Sequence, residues 1–84
     1  MPNSVEFSRR AAKFIRDLND RILYQRLIQT IEPLKHNPLP VGCKKIQGSI
    51  HTYRLRVGDY RILYEVLSNR IVITDIGHRR EIYR

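Results

Sequence analysis

The sequence predicts an α+β fold in which a short first strand and two helices pack on a twisted antiparallel sheet of about four strands. Up to Leu34, apolar residues recur at helical spacing, whereas from Ile50 onward they alternate with polar residues. The proline-bearing stretch "KHNPLP" separates the two patterns. An 84-residue chain has room for one modest core, so we expect a single domain over residues 1–84.

The first half is predicted to hold the short strand and both helices. In "SVEF" apolar and polar residues alternate, as in a half-buried strand. Ser8 can then accept the free amides of a helix that runs to about Asn19. Asp20 offers a second N-cap, and the apolar stripe that follows it continues to Leu34. The two helices are therefore expected to form a hairpin.

The second half is predicted to form three strands in a meander. The segments "IHTYRLRV", "YRILYEVL" and "RIVITDI" show a period of two and are separated by Gly-Asp and Ser-Asn. Gly-Asp is a recognised two-residue hairpin turn. One face of this meander, with the first strand as a neighbour, is expected to pack on the helices.

The composition indicates a polyanionic partner. The chain has 16 basic and 8 acidic residues, a net charge of +8, and 12 of the basic residues are arginine. Arginine presents a planar fork of donors that matches phosphate, so this excess favours phosphate recognition over general solubility.

The cysteine content and the lack of long apolar segments predict a cytoplasmic protein. The single cysteine, Cys43, excludes an internal disulfide framework and is interpreted as a small packed side chain. The start "MPNSVEFSRR" lacks the apolar run of a secretory signal, and no segment has the roughly 20 apolar residues that span a bilayer. We therefore expect no membrane association.

The segment "YRLRVGDYRILYE" places three arginines on the predicted hairpin. Because strand side chains alternate between faces, Leu55 and Val57 can point to the helices while Arg54 and Arg56 share the opposite face. The strand register decides whether Arg61 joins them, and a two-residue turn favours that. From spacing alone, a solvated sheet face and a phosphate-binding patch are equal alternatives. Three hairpin tyrosines are interpreted as packing residues: Tyr53, Tyr60 and Tyr64.

The terminal segment "IGHRREIYR" is too polar for a core. It can be a basic tail, or it can fold over the arginine face. In the second case His78, Arg79 and Tyr83 would lie beside Arg56 and Arg61.

These motifs together resemble the RelE/ParE superfamily of prokaryotic toxins. The resemblance covers nearly the whole chain: the helical hairpin, the proline-bearing linker, "KIQG", "YRLRVGDYRILYEV" and "IGHRREIYR" fall in the order found in that family. It implies the toxin of a type II toxin–antitoxin pair. RelE-like members cleave mRNA in the ribosomal A site, whereas ParE-like members poison DNA gyrase without catalysis. A nonspecific basic RNA-binding module is a third hypothesis, and it predicts binding that weakens steeply with salt.

The resemblance also implies site residues. Arg61 and Arg79 match the family's catalytic arginines, Tyr83 matches its terminal catalytic tyrosine, and Arg56 and His78 complete the candidate catalytic set. The RNA-binding candidates are Lys44, Lys45, Arg54, Arg56, Arg80 and Arg84.

The sequence departs from the family where Arg54 and Arg56 replace lysines. Arginine is not deprotonated in proteins, so neither residue can be the general base. Tyr83, His78 and His51 stay open as candidates for that role.

The implied reaction is metal-independent, and the scattered histidines and Cys43 show no ligand spacing, so we expect neither a metal nor another cofactor. The expected partners are a cognate antitoxin, in a heteromeric complex, and mRNA with ribosomal RNA in the A site. An acidic antitoxin segment would complement the arginines.

Overall fold

The computed structural model describes residues 3–78. They form two α-helices, one 3-10 helix and one five-stranded sheet. The predicted α+β class is confirmed. The elements are β1 (Ser4–Phe7), α1 (Arg9–Asp17), α2 (Arg21–Ile31), a 3-10 helix (Glu32–Lys35), β2 (Lys44–Lys45), β3 (Thr52–Val57), β4 (Tyr60–Val66) and β5 (Arg70–His78). The strand order in the sheet is β1-β5-β4-β3-β2.

Both predicted helix caps are confirmed. The Ser8 hydroxyl accepts the Ala11 amide at 3.1 Å and donates to the Thr74 carbonyl at 2.8 Å, so this one side chain caps α1 and fastens it to β5. The Asp20 carboxylate accepts the Leu23 amide at 3.0 Å. Within residues 3–78, neither helix has the length and apolar composition needed to cross a membrane.

The sheet differs from the prediction at both edges. At one edge β1 runs parallel to β5, with Val5 beside Ile71. Parallel neighbours need a long connection, which the helices and the rest of the meander provide here. At the other edge Lys44 and Lys45 pair antiparallel with β3 and add a fifth strand. Alternation in the sequence carries no information about strand direction, and two residues are too few to show a period.

A β-bulge in β5 keeps the core side of that strand continuous. Ile62 pairs with Ile76 and Tyr64 with Ile73, so β5 has two residues, one of them Thr74, where β4 has one. The extra residue allows the isoleucines on both sides of the irregularity to point inward. Both are almost fully buried.

The core lies between the two helices and one face of the sheet. Helix α2 contributes an i, i+4, i+8 stripe, as expected for an amphipathic helix on a sheet. Each fully buried aliphatic side chain contributes about 1.5–3 kcal/mol of transfer free energy. The buried set is Ala11, Leu23, Leu27, Ile31, Leu34, Leu55, Val57, Ile62, Tyr64, Ile71, Ile73 and Ile76.

Tyr64 joins the linker to the sheet. Its ring is fully buried and its hydroxyl donates to the Pro38 carbonyl at 2.8 Å. Burial raises the pKa of this hydroxyl, which therefore stays a neutral donor. Its ring lies 6.0 Å from Tyr53, and Tyr60 lies 6.0 Å from Phe14. The interpretation of the three hairpin tyrosines as packing residues is confirmed, and Cys43 also packs against the core.

Replacing Tyr64 by Phe is expected to lower the free energy of unfolding by about 1 kcal/mol, because the hydrogen bond to the half-buried Pro38 carbonyl is lost. Urea denaturation of the two proteins measures the difference. Tyr24→Phe, at a position that is 44% exposed, is the matched control and should change nothing. Equal stability of the native protein and Tyr64→Phe would contradict a structural role for this hydrogen bond.

Candidate nucleic-acid interface

The register of the β3–β4 hairpin brings the predicted arginines together. Arg56 lies directly opposite Arg61, and Arg54 lies opposite Leu63. The strands are joined by the two-residue turn Gly58-Asp59, in which Gly58 has a φ of +61°. The prediction that Arg61 shares the face of Arg54 and Arg56 is therefore confirmed.

This face is open because the intervening residues take the core side. Leu55 and Val57 are only 7% and 4% exposed and pack into the hydrophobic core. On the other side of the same strands Arg56 is exposed, and Arg54 and Arg61 are half-buried. Alternation along β3 thus separates the charge from the core.

Pairing with β2 adds one lysine to this face and excludes another. Lys44 lies opposite Arg54 and joins the arginines. Lys45, also an RNA-binding candidate, lies opposite Tyr53, so its position is on the helix-facing side of the sheet, away from Arg54 and Arg56. We call the surface formed by Lys44, Arg54, Arg56 and Arg61 the cationic face.

The cationic face covers only the half of the open sheet surface next to the hairpin. At the other end of the sheet, Glu65 and Glu6 occupy the same surface, each beside Val72. The Glu6 carboxylate forms an ion pair with Arg70 at 3.6 Å. Because acidic groups disfavour a polyanion there, a bound phosphate chain is expected to remain near the hairpin.

His78 is not beside Arg56 and Arg61, which corrects that expectation. It pairs with Tyr60, whose side chain packs against the core, so His78 lies on the helix-facing side. Its ring meets Tyr60 edge-on with centroids 5.5 Å apart. On the arginine side, the neighbour of Arg61 in β5 is Gly77.

The other sequence-predicted candidates are separated from the Arg56–Arg61 pair or fall outside the described residues. His51 precedes β3 and is five residues from Arg56, or about 17 Å in extended backbone. The terminal candidates lie outside residues 3–78: Arg79, Arg80, Tyr83 and Arg84.

Asp75 is a carboxylate of β5 that sequence reasoning missed, and it lies beside α1. It lies opposite Leu63 at the bulge, and its carboxylate is 3.8 Å from Arg10 Nε. Its position depends on the inserted residue in β5, which the alternation pattern does not show. No group of three His, Cys, Asp or Glu side chains within residues 3–78 has the arrangement of a metal site.

The geometry suits binding of an extended anion on a surface. Each guanidinium offers a planar fork of donors for phosphate oxygens. Two arginines directly opposite each other on a sheet repel, and an anion placed between them removes that repulsion. A concavity of about 440 Å³ lies elsewhere, between α1 and the edge of β5. The cationic face is thus an open platform rather than a pocket.

Comparison with known proteins identifies relatives over almost the whole chain. The family described as the ParE toxin of type II toxin–antitoxin systems, parDE, matches residues 5–83. The RelE1 protein of Methanocaldococcus jannaschii is 38% identical, with 96% of this chain and 93% of the relative aligned. The toxin RelG of Mycobacterium tuberculosis is 33% identical over 100% of this chain and 99% of its own length.

Solved structures of RelE proteins also superpose on this chain over most of its length. The archaeal RelE–RelB complex from Pyrococcus horikoshii contains a chain that superposes with a TM-score of 0.80 at 27% identity, covering 94% of this chain and 97% of that one. The RelB–RelE antitoxin–toxin complex from Methanococcus jannaschii gives a TM-score of 0.76 at 30% identity, covering 93% and 94%.

Replacing Arg56 by Gln is expected to stabilise the free protein by about 0.5 kcal/mol at low salt, because it removes the repulsion with Arg61 across the strands. The gain should vanish near 1 M salt, where the Debye length is about 3 Å. Thermal denaturation at two salt concentrations measures it. Arg16→Gln, which removes an ion pair of 3.5 Å with Asp17, should give no gain. A gain that is independent of salt would contradict the electrostatic explanation.

Proposed function

The chain belongs to the RelE/ParE superfamily of toxins from type II toxin–antitoxin systems, and we propose that it inhibits translation by cutting mRNA in the ribosomal A site. One observation carries the choice of RNA as target: Arg56 and Arg61 face each other on the open side of the sheet, next to Arg54 and Lys44. Such a surface fits a phosphate backbone. We propose that the protein acts in the cytoplasm of a prokaryotic cell.

The reaction requires stabilisation of charge at one phosphate. Attack of a ribose 2′-hydroxyl on the adjacent phosphorus forms one P–O bond and breaks the bond to the 5′ oxygen of the next nucleotide. The products are a 2′,3′-cyclic phosphate and a 5′-hydroxyl. Negative charge accumulates on the phosphorane, and donors already in place stabilise it most effectively there. In this proposal Arg61 supplies that stabilisation and Arg56 holds the phosphate from the facing strand.

Two proton transfers accompany the reaction: a base takes the proton of the 2′-hydroxyl, and an acid gives one to the leaving 5′ oxygen. Arg54 and Arg56 cannot serve as the base because guanidinium does not deprotonate. The position of His78 on the helix-facing side argues against its use at the cationic face. We therefore propose Tyr83 as the proton carrier, with Arg79 as a second group that stabilises the phosphorane.

We propose a cognate antitoxin as the protein partner, in a heteromeric complex. Relatives from Pyrococcus horikoshii and Methanococcus jannaschii were solved as RelE–RelB and RelB–RelE complexes. An acidic antitoxin segment that covers Arg56 and Arg61 would neutralise the same charges that bind RNA. Neutralisation and target binding then compete for one surface.

A gyrase inhibitor without catalytic activity is the second candidate. The family model that matches residues 5–83 is that of the ParE toxin, which favours this alternative. One fold can support both activities, so the distinction depends on the site. A gyrase inhibitor has no chemical use for Arg79 and Tyr83. Toxicity that survives Arg79→Ala and Tyr83→Phe, together with inhibited DNA supercoiling by gyrase, would favour it over the nuclease.

Primer extension on translating ribosomes tests the nuclease directly. The native protein should produce new mRNA ends in the A site, and only when ribosomes are present. Arg61→Ala should reduce cleavage about 100-fold or more, because one preorganised donor is lost where charge develops. Arg61→Lys should retain part of the activity as a point charge without the fork.

The control is Arg16→Ala, which removes an arginine on the exposed side of α1 and should cleave at the native rate. Circular dichroism of each variant establishes that it is folded. Growth arrest with intact mRNA would reject the proposed nuclease.

A further inference from the structure

Arg26 lies against the turn of the β3–β4 hairpin. This arginine is on the exposed side of α2. An ideal Cβ atom placed on Gly58 would lie 3.3 Å from Arg26 Nη1, 3.7 Å from Nη2 and 3.9 Å from Cζ. Both terminal nitrogens are nearer than Cζ, so the guanidinium points its Nη end toward the glycine.

Gly58 permits this contact for two reasons. Its φ of +61° is in the left-handed region, which glycine adopts at little cost. Its missing side chain also allows this close approach, since a Cβ 3.3 Å from Nη1 would make the tip of Arg26 give by a few tenths of an ångström. The end of the Arg26 side chain thus lies against the turn.

The contact places Arg26 at the end of the cationic face. Gly58 follows Arg56 by two residues, which span at most about 7 Å. The guanidinium therefore lies at the hairpin tip, beyond the Arg56–Arg61 pair. It borders a shallow depression of about 360 Å³ whose wall includes Ile22, which is 70% exposed.

No carboxylate within residues 3–78 forms an ion pair with Arg26, although Asp20 and Asp59 line the same depression. Lys13 and Arg16 on α1 differ, since both are paired with Asp17. The end of Arg26 therefore lies against Gly58 without an ion-pair partner among the described carboxylates.

We propose that Arg26 binds an RNA phosphate and extends the cationic face around the hairpin tip. A single strand of RNA would pass Lys44 and Arg54, cross the Arg56–Arg61 pair and place a further phosphate on Arg26. Gly58 is a positioning residue that acts through Arg26. This inference rests on the proposed function, since it takes RNA as the target, and it adds a residue on α2 to the sheet residues.

The test is the affinity for a short oligouridylate, measured by fluorescence anisotropy at several salt concentrations. Arg26→Ala should weaken binding about tenfold, as expected for the loss of one charged hydrogen-bonded contact. The slope of log K against log salt should fall in magnitude by about 0.7, the value for one phosphate contact on a single strand. Arg9→Ala removes the same charge from the exposed side of α1 and should leave the slope unchanged.

A second variant tests the positioning by Gly58. Gly58→Asn adds a Cβ 3.3 Å from Arg26 Nη1 and tolerates the left-handed backbone. It should weaken RNA binding in the native background and have little further effect in an Arg26→Ala background. Thermal denaturation identifies any variant whose fold is lost, and a merely structural role for Gly58 would give additive effects.

The outcomes separate this inference from the proposed nuclease. Equal slopes for Arg26→Ala and Arg9→Ala, or additive effects of the Gly58 and Arg26 variants, would overturn the inference even if mRNA cleavage occurs. A reduced slope in Arg26→Ala with no cleavage on ribosomes would retain the inference and reject the nuclease.

Discussion

The two-residue turn at Gly58-Asp59 determines the side of the sheet to which every residue of β3 and β4 points. It sets Arg56 opposite Arg61, while Leu55 and its neighbours enter the core. A slip of one residue in β4 would place Arg61 among the apolar side chains and expose a core isoleucine. The cationic face and the hydrophobic core are therefore two results of one register.

Repulsion between arginines lowers stability on the open side of the sheet, whereas the hydrophobic core raises it on the helix-facing side. Arg56 and Arg61 repel in the free protein, and no apolar packing covers Arg56. The structure offsets this cost with a nearly continuous core and with specific polar ties. The Ser8 hydroxyl connects α1 to β5, and the Tyr64 hydroxyl connects the linker to β4. Rigid elements thus hold like charges in a geometry that favours an anionic ligand.

Much of the fold follows from local patterns in the sequence, whereas features that depend on long-range geometry do not. Periodicity and capping residues predicted both helices, and alternation with the Gly-Asp turn predicted the hairpin and the position of Arg61. The parallel pairing of β1 depends on where the chain returns after the meander. The inserted residue in β5 places His78 on the helix-facing side.

The candidate site shows the same division. Arg54 and Arg56 could be assigned to one face from alternation alone, and the two-residue Gly-Asp turn favoured Arg61 on the same face. Lys44 and Lys45 are adjacent in the chain, and only their pairing with β3 separates them onto opposite faces. Arg26 is 32 residues from Gly58, and no local pattern relates a helix residue to a distant turn.

The most direct test of an RNA surface defined by the hairpin register is an NMR titration that follows the arginine Nε–Hε signals as a short single-stranded RNA is added. We expect the signals of Arg54, Arg56 and Arg61 to shift together with bound RNA, while those of Arg9 and Arg16 on α1 stay in place. Shifts confined to the helix arginines, or equal shifts at all arginines, would contradict the cationic face as the binding surface.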